Sequence, residues 1–376
     1  MNSPIYLDYQ ATTPLAPEVA AAMRPWIETQ FGNPHSPHRM GREAAAAIEV
    51  ARGHVASALG NSAPGALYFT SGATEAANWG LKGAAACLPA DRRRIVTLAT
   101  EHACVLDTVE WLGIQGFEID ILPVQADGLV DLDLLAARVT PDTGLVAAML
   151  VNNEIGAIQP VAAIADIAHA GGALFFCDAV QGFGRVPLPL DSCDMVAISA
   201  HKVHGPKGIG ALWIRDGIMV DALMHGGGQE GGNRSGTLSP ALCVGFGEAS
   251  RLLAARSDAD HAHVERLWSV AADEAAGWTL NGPADARYHG NLNLRRTGVD
   301  AARLISEVRA VAFAAGSACA SGSGRPSHVL KALGLADREA RSSIRLGFGR
   351  YTSEEDLRAA LALINDAAEK QLKFAA

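Results

Sequence analysis

An α/β fold with a mostly parallel seven-stranded sheet between helices is predicted by three observations. Between Leu67 and Ile214, short apolar stretches alternate with helical ones, the pattern of a parallel sheet covered on both faces. The apolar stretches are short enough for strands, and the segments between them carry helical spacing and good helix formers. Nearly every polar motif falls at the carboxyl end of a strand, where ligands bind in such sheets. In chain order the strand candidates are 66–70, 95–99, 118–122, 145–151, 173–177, 195–199 and 211–214. Helical candidates between them are 75–86, 106–115, 132–139 and 164–170. A glycine-rich segment, 225–236, precedes a long Ala- and Glu-rich helical stretch over 240–277. Further strands are expected near 291–294 and 343–346. We read residues 15–250 as a large domain, with 1–14 and 251–376 forming a smaller α+β domain.

Composition narrows the function classes. The 376 residues include 31 Lys and Arg against 40 Asp and Glu, a formal charge of -9. The only basic cluster, Arg92-Arg93-Arg94, opens a predicted strand, so no basic stripe for nucleic acid is expected. No apolar run approaches a membrane span, and the N-terminal segment does not read as a signal peptide. A cytoplasmic protein is expected. Six cysteines lack any CxxC pairing, which argues against a disulfide framework and against structural zinc. Five of them, including Cys104 and Cys177, read as core packing.

Lys202 ends the run Ala197-Ile-Ser-Ala-His-Lys202, which a Gly-Pro turn follows. An amine at the end of a buried strand loses proton affinity to desolvation and becomes nucleophilic. Asp178 ends another apolar strand. A lysine and a carboxylate at neighbouring strand ends suit pyridoxal phosphate (PLP), the amine linking to the cofactor and the carboxylate keeping its ring nitrogen protonated. Lys207, after the turn, is the competing amine and reads as solvated.

Other motifs are weaker singly. Thr70-Ser-Gly-Ala73-Thr74-Glu75 joins a strand to a helix start, an anion seat or an ordinary N-cap. His102 follows a strand and reads as a stacking acid/base group or a satisfied polar residue. Asn152-Asn153 suits carboxylate recognition or a turn. Gln181 lies about one turn beyond Asp178, and Ser199 and His201 flank the lysine. Residues 315–324, all small except Cys319, read as a flexible loop carrying an accessible thiol. Arg345 on a strand suits a carboxylate clamp or a buried ion pair.

Together these segments resemble a cysteine desulfurase of the NifS/IscS type, a class V aminotransferase with the PLP fold type I (aspartate-aminotransferase) architecture. The likeness runs in order through Tyr6–Pro14, Phe31–His35, Thr70–Glu75, Glu101-His102, Val151–Gly156, Asp178–Gln181, His201–Gly210, Gly226–Thr237, Gly316–Cys319 and Ser342–Arg350. It implies that Lys202 carries the cofactor, Asp178 meets its ring nitrogen, His102 stacks on it and Gln181 bonds its phenolic oxygen. Ala73, Thr74, Ser199 and His201 are implied to seat the phosphate, with Thr237 supplied by a second subunit of a homodimer. Asn153 and Arg345 are implied to hold the carboxylate of L-cysteine, and Cys319 to take its sulfur. No intrinsic metal is implied, although Cys319 can transiently share an iron–sulfur cluster with a scaffold acceptor protein. Selenocysteine lyase is the nearest alternative; a non-catalytic sulfur-relay subunit is the alternative from another class. The Gly-Ser-Ala-Cys signature resembles the branch with a long thiol loop. Three departures are visible: Gly231 where relatives usually carry arginine, Ala200 in place of a common glycine before His201, and no C-terminal extension after Ala376 of the kind that holds a scaffold.

Overall fold

The structure is a computed structural model, and it describes residues 3–60, 63–315 and 326–375. Among the described residues, twelve strands follow one another along the chain. They are β1 (Ile5–Tyr6), β2 (Gly65–Thr70), β3 (Arg94–Leu98), β4 (Glu118–Leu122), β5 (Thr143–Met149), β6 (Leu174–Asp178), β7 (Met195–Ser199), β8 (Gly210–Arg215), β9 (Thr279–Leu280), β10 (Asn291–Arg295), β11 (Val311–Ala312) and β12 (Ser343–Gly347). Seven of them form one sheet in the order β2-β8-β7-β6-β5-β3-β4. All neighbours are parallel except at β8, which runs antiparallel to both β2 and β7. The seven-stranded, mostly parallel sheet expected from the sequence is therefore present.

Alternation within the strands makes two buried faces. Val96, Val146, Phe175, Val196 and Trp213 face one core with Val55 of the helix Arg39–Leu59 and Phe246 of the helix Pro240–Glu274. Ile95, Leu145, Phe176, Met195 and Leu212 face the other, packed against the helices Ala73–Cys87 and Ala103–Ile114. Gly80 permits the close approach of the first of these, since a Cβ there would lie 2.9 Å from the Phe176 ring.

A separate core lies around the antiparallel set β12-β10-β9 and includes Leu292, Leu294, Ile344, Leu346, Leu304 and Leu361. β1 pairs in parallel with β11, and the next residue, Leu7, is fully buried in this second core. The helix Pro240–Glu274 reaches both cores, with Phe246 and Leu253 in the first and Leu267 and Val270 in the second. Among the described residues, no helix is long and apolar enough to cross a membrane.

Candidate active site

β3, β5, β6 and β7 are parallel, and β2 runs with them because β8 reverses between β7 and β2. Their carboxyl ends thus meet at one edge of the sheet. There a cavity of about 850 Å³ is lined by Ala73, Thr74, His102, Asn153, Asp178, Gln181, Ser199, His201, Lys202 and Arg345. Every expected site residue except Thr237 and Cys319 is brought together. Thr237 is exposed and does not line this chain's cavity. Cys319 lies outside the described residues. Residues on both sides of it reach the site: Ala314 exchanges two backbone hydrogen bonds with Arg345 at 2.7 and 3.2 Å, while Pro326 and His328 line the cavity.

Lys202 follows β7 in a single 3₁₀ turn. Its Nζ donates to the backbone carbonyls of Gln10 at 2.6 Å and Ala11 at 2.8 Å. Burial, helped by the Arg185 and Arg345 charges, lowers its pKa from 10.5 to about 7. Much of this amine is therefore neutral near pH 7 and can act as nucleophile and base. Lys207 is exposed at the rim of the same cavity, so it remains the outer amine.

Asp178 closes β6, and its Oδ1 accepts from the Val180 N–H at 3.0 Å. Burial raises its pKa, opposed by the nearby His102 and Lys202. Among the described residues, Val180 is the carboxylate's only hydrogen-bond partner. A buried carboxylate with an open acceptor site calls for a cationic N–H.

His102 caps the helix Ala103–Ile114, its Nδ1 accepting from the Cys104 N–H at 3.2 Å. The Cys104 Sγ lies 3.1 Å from the same nitrogen. With Nδ1 engaged as an acceptor, the neutral ring carries its proton on Nε2. Burial lowers the pKa of His102, which keeps it neutral. Cys104, expected to be core filling, is buried in the core on that side of the sheet and also borders the cavity, its thiol against the His102 ring. Burial, reinforced by the nearby Asp178 and Glu101 charges, pushes its thiol pKa well up, so it is no competing thiolate at neutral pH.

The helix Ala73–Cys87 starts at Gly72 with no side-chain cap. Ala73 and Thr74 at its start line the cavity together with Ser199 and His201, and the first N–H groups of a helix have no intrahelical partner, as a phosphate seat requires. His201 Nδ1 lies 3.1 Å from Thr12 Oγ1, and burial lowers its pKa to about 4. Gly210 starts β8 between the two phosphate-side strands, opposite Thr70 and Ser199. A Cβ at Gly210 would lie 2.6 Å from the Ile198 oxygen and 2.8 Å from the Gly72 carbonyl carbon.

Arg345 is 1% exposed and already pairs with Asp8 through Nη2 at 2.8 Å. Its Nη1 donates to the Asn153 carbonyl at 3.1 Å. The ion-pair and clamp readings of Arg345 are thus compatible: Asp8 fixes one end of the guanidinium while the group lines the cavity. Asn152 is a turn residue, its Oδ1 accepting from Glu154 and Ile155 N–H at 2.9 and 3.0 Å; only Asn153 faces the site. The sequence reading did not find Gln10, Ala11, Glu154 or His328. Gln10 and Ala11 act through backbone carbonyls, which leave no trace in residue type. Ser327 Oγ donates to the buried Glu154 carboxylate, and His328 Nε2 donates to the Glu101 carbonyl at 2.9 Å.

An uncapped helix N-terminus, a buried carboxylate short of a donor and a near-neutral lysine match, respectively, the phosphate, ring nitrogen and aldehyde of pyridoxal phosphate. The residues fit the group, and this fold and site define a PLP-dependent enzyme of fold type I. The chain belongs to the aminotransferase class-V family, whose model matches residues 5–359. Over 370 residues it is 44% identical to the cysteine desulfurase IscS of Rickettsia bellii (strain OSU 85-389), covering 96% of this chain and 90% of that protein. A solved structure described as a NifS-like protein superposes with a TM-score of 0.91 at 33% identity, over 98% of this chain and all of the other. The structure of SspA in complex with cysteine gives 0.82 at 33% identity, over 93% of this chain and all of the other.

Proposed function

We propose that this chain is a PLP-dependent cysteine desulfurase, converting L-cysteine to L-alanine and leaving the sulfur on Cys319 as a persulfide. The observation that carries the reading is the lysine of depressed pKa near Asp178, in a cavity reached by the chain on both sides of Cys319. Relatives named cysteine desulfurase along nearly the whole chain support it.

Lys202, Asp178, His102 and Gln181 hold the cofactor's reactive end, while Ala73, Thr74, Ser199 and His201 hold its phosphate. When bound, the cofactor supplies an electron-withdrawing ring that stabilises negative charge developing on the substrate carbons. Arg345 and Asn153 orient the substrate carboxylate. Lys202 Nζ, neutral near pH 7, takes the α-proton and returns it within the site. His102 holds an exchangeable proton at Nε2. The Cys319 thiolate attacks the substrate sulfur; the S–S bond forms as the substrate C–S bond breaks, and its electron pair stays on carbon. Protonation of that carbon gives alanine, so cysteine plus enzyme thiol yields alanine plus enzyme persulfide.

Thr237, on the exposed glycine-rich segment, reaches the phosphate of a second copy in this reading, so the working unit is a homodimer. An iron–sulfur scaffold or another acceptor protein takes the persulfide sulfur in the cytoplasm. Residues 1–14 and 251–376 act as the small domain that presents Cys319.

The test supplies L-cysteine and a thiol reductant to PLP-loaded protein and to its Cys319→Ala variant. Alanine and sulfide in equal amounts are expected from the first, and sulfide release from the variant should fall to background while visible cofactor absorbance persists. Sulfide from the variant at the parent rate would remove Cys319 from the mechanism.

A further inference from the structure

Lys202 also borders a second cavity, of about 740 Å³, which Asp178 does not line. Three arginines line it. Arg350 is paired with Asp260 at 2.6 Å. Arg287 is spent on backbone carbonyls, among them Pro283 and Ile155, each at 2.9 Å. Arg185 has neither arrangement: no carboxylate offsets its charge among the described residues, and burial lowers its pKa. Its guanidinium lies 5.4 Å from the Tyr288 ring centroid.

What Arg185 does touch is the catalytic machinery. Nη2 donates to the Lys202 carbonyl at 2.7 Å, and Nη1 donates to Gln181 Oε1. Gln181 Nε2 in turn donates to the Gln10 carbonyl at 2.8 Å. That carbonyl also accepts from Lys202 Nζ at 2.6 Å. The bonds close a ring that begins and ends on Lys202. We propose that Arg185 is a positioning residue, turning the Gln181 amide so that its NH₂ faces the cofactor cavity and holding an unpaired positive charge behind Lys202.

The amide argument rests on donor arithmetic. A glutamine amide fits its pocket either way round, whereas a guanidinium has donors only. Arg185 therefore fixes Oε1 towards itself and NH₂ towards Gln10. One N–H of that NH₂ remains for an acceptor in the cavity, which is what the phenolic oxygen of the cofactor is. The planar fork matters, because one group must reach a side-chain oxygen and a main-chain oxygen together. The charge acts on the amine through a low-dielectric interior, disfavouring a second cation. Lys202 is also faced by Arg345, Asp178 and Asp8, and by the imidazoles of His102 and His201. All of these stay unchanged in the Arg185 variants.

This inference rests on the desulfurase reading, and its test separates the two. Full-length holoenzyme is titrated with pH while the visible absorbance of lysine-linked cofactor is followed. Cofactor-free protein is labelled with trace acetic anhydride across the same pH range, and Lys202 acetylation is read by peptide mass. In Arg185→Met, proton affinity should rise by about tenfold in both titrations, the scale expected for one nearby charge removed from a partly screened interior. Arg185→Lys should keep the parent midpoint but release cofactor faster, because the fork is gone. Gln181→Glu places a carboxylate against Arg185 and should raise the midpoint even if the methionine variant does not fold. Midpoints within twofold of the parent in both Arg185→Met and Gln181→Glu would overturn the proposal. A parent protein with no visible cofactor band would instead overturn the reading beneath it.

Discussion

Lys202, Asp178 and His102 line one cavity, and burial shifts the proton affinity of each. It lowers the lysine's hold on its proton, raises the proton affinity of the carboxylate against the opposing pull of His102 and Lys202, and keeps the imidazole neutral with hydrogen on Nε2. Lys202→Ala should therefore abolish turnover and remove the visible band of lysine-linked cofactor, checked by absorbance of the reconstituted variant. A band that survived unchanged would pass the role to Lys207. These side chains were legible in the sequence because each follows an apolar strand, and the desolvation that shifts Lys202 follows from that placement alone. Its two hydrogen-bond partners were not legible, since the carbonyls of Gln10 and Ala11 are common to every residue type. Arg185 was hidden for a related reason: it sits in a turn, where an arginine reads as solvated until its acceptors are known. Cys104 packs in the core as its apolar neighbours predict, but those neighbours do not reveal that one side of this helix start also borders a cavity.

At the scale of elements, the phosphate seat depends on how closely three strands and one helix start converge. Gly210 lies at that point, paired with Thr70 on one side and Ser199 on the other. Gly210→Ala places a methyl against the Ile198 oxygen and the Gly72 backbone, neither of which is a flexible side-chain end. The helix start must shift, so cofactor affinity should fall by tenfold or more, as measured by equilibrium dialysis of PLP. The same substitution at Gly72 meets nothing within 4 Å and provides the control for space alone. The strands were read to within a residue or two because a parallel sheet is written as short apolar runs. Two early helices, Pro17–Glu28 and Arg39–Leu59, were not read, although the second buries Gly41, Ala44, Ile48, Ala51, Val55 and Leu59 at helical spacing. Its alanines are weakly apolar, so the stripe has little contrast. The pairing of β1 with β11 joins residues some three hundred positions apart, which local pattern cannot specify.

For the molecule as a whole, two carboxyls buried at the strand ends connect stability to pH. Glu101 and Glu154 both have pKa values raised above 4.5 by burial. A carboxyl raised in the folded state favours folding fully below its ordinary pKa, and that contribution is lost as pH climbs towards the raised value. Glu101→Gln, whose Oε1 can still accept the Met149 N–H, should therefore gain on the parent as pH rises from 5 to 8, as read from urea midpoints. A constant difference across that range would place the ionisation elsewhere. The helix Pro240–Glu274 adds a further whole-molecule consequence. Its 35 residues make a rod about 52 Å long, with one half sealing the sheet core and the other half sealing the second core. Neither core can melt without stripping apolar cover from a helix that the other still holds. The rod thus makes the two hydrophobic cores thermodynamic neighbours, and unfolding of either draws directly on the stability of the other.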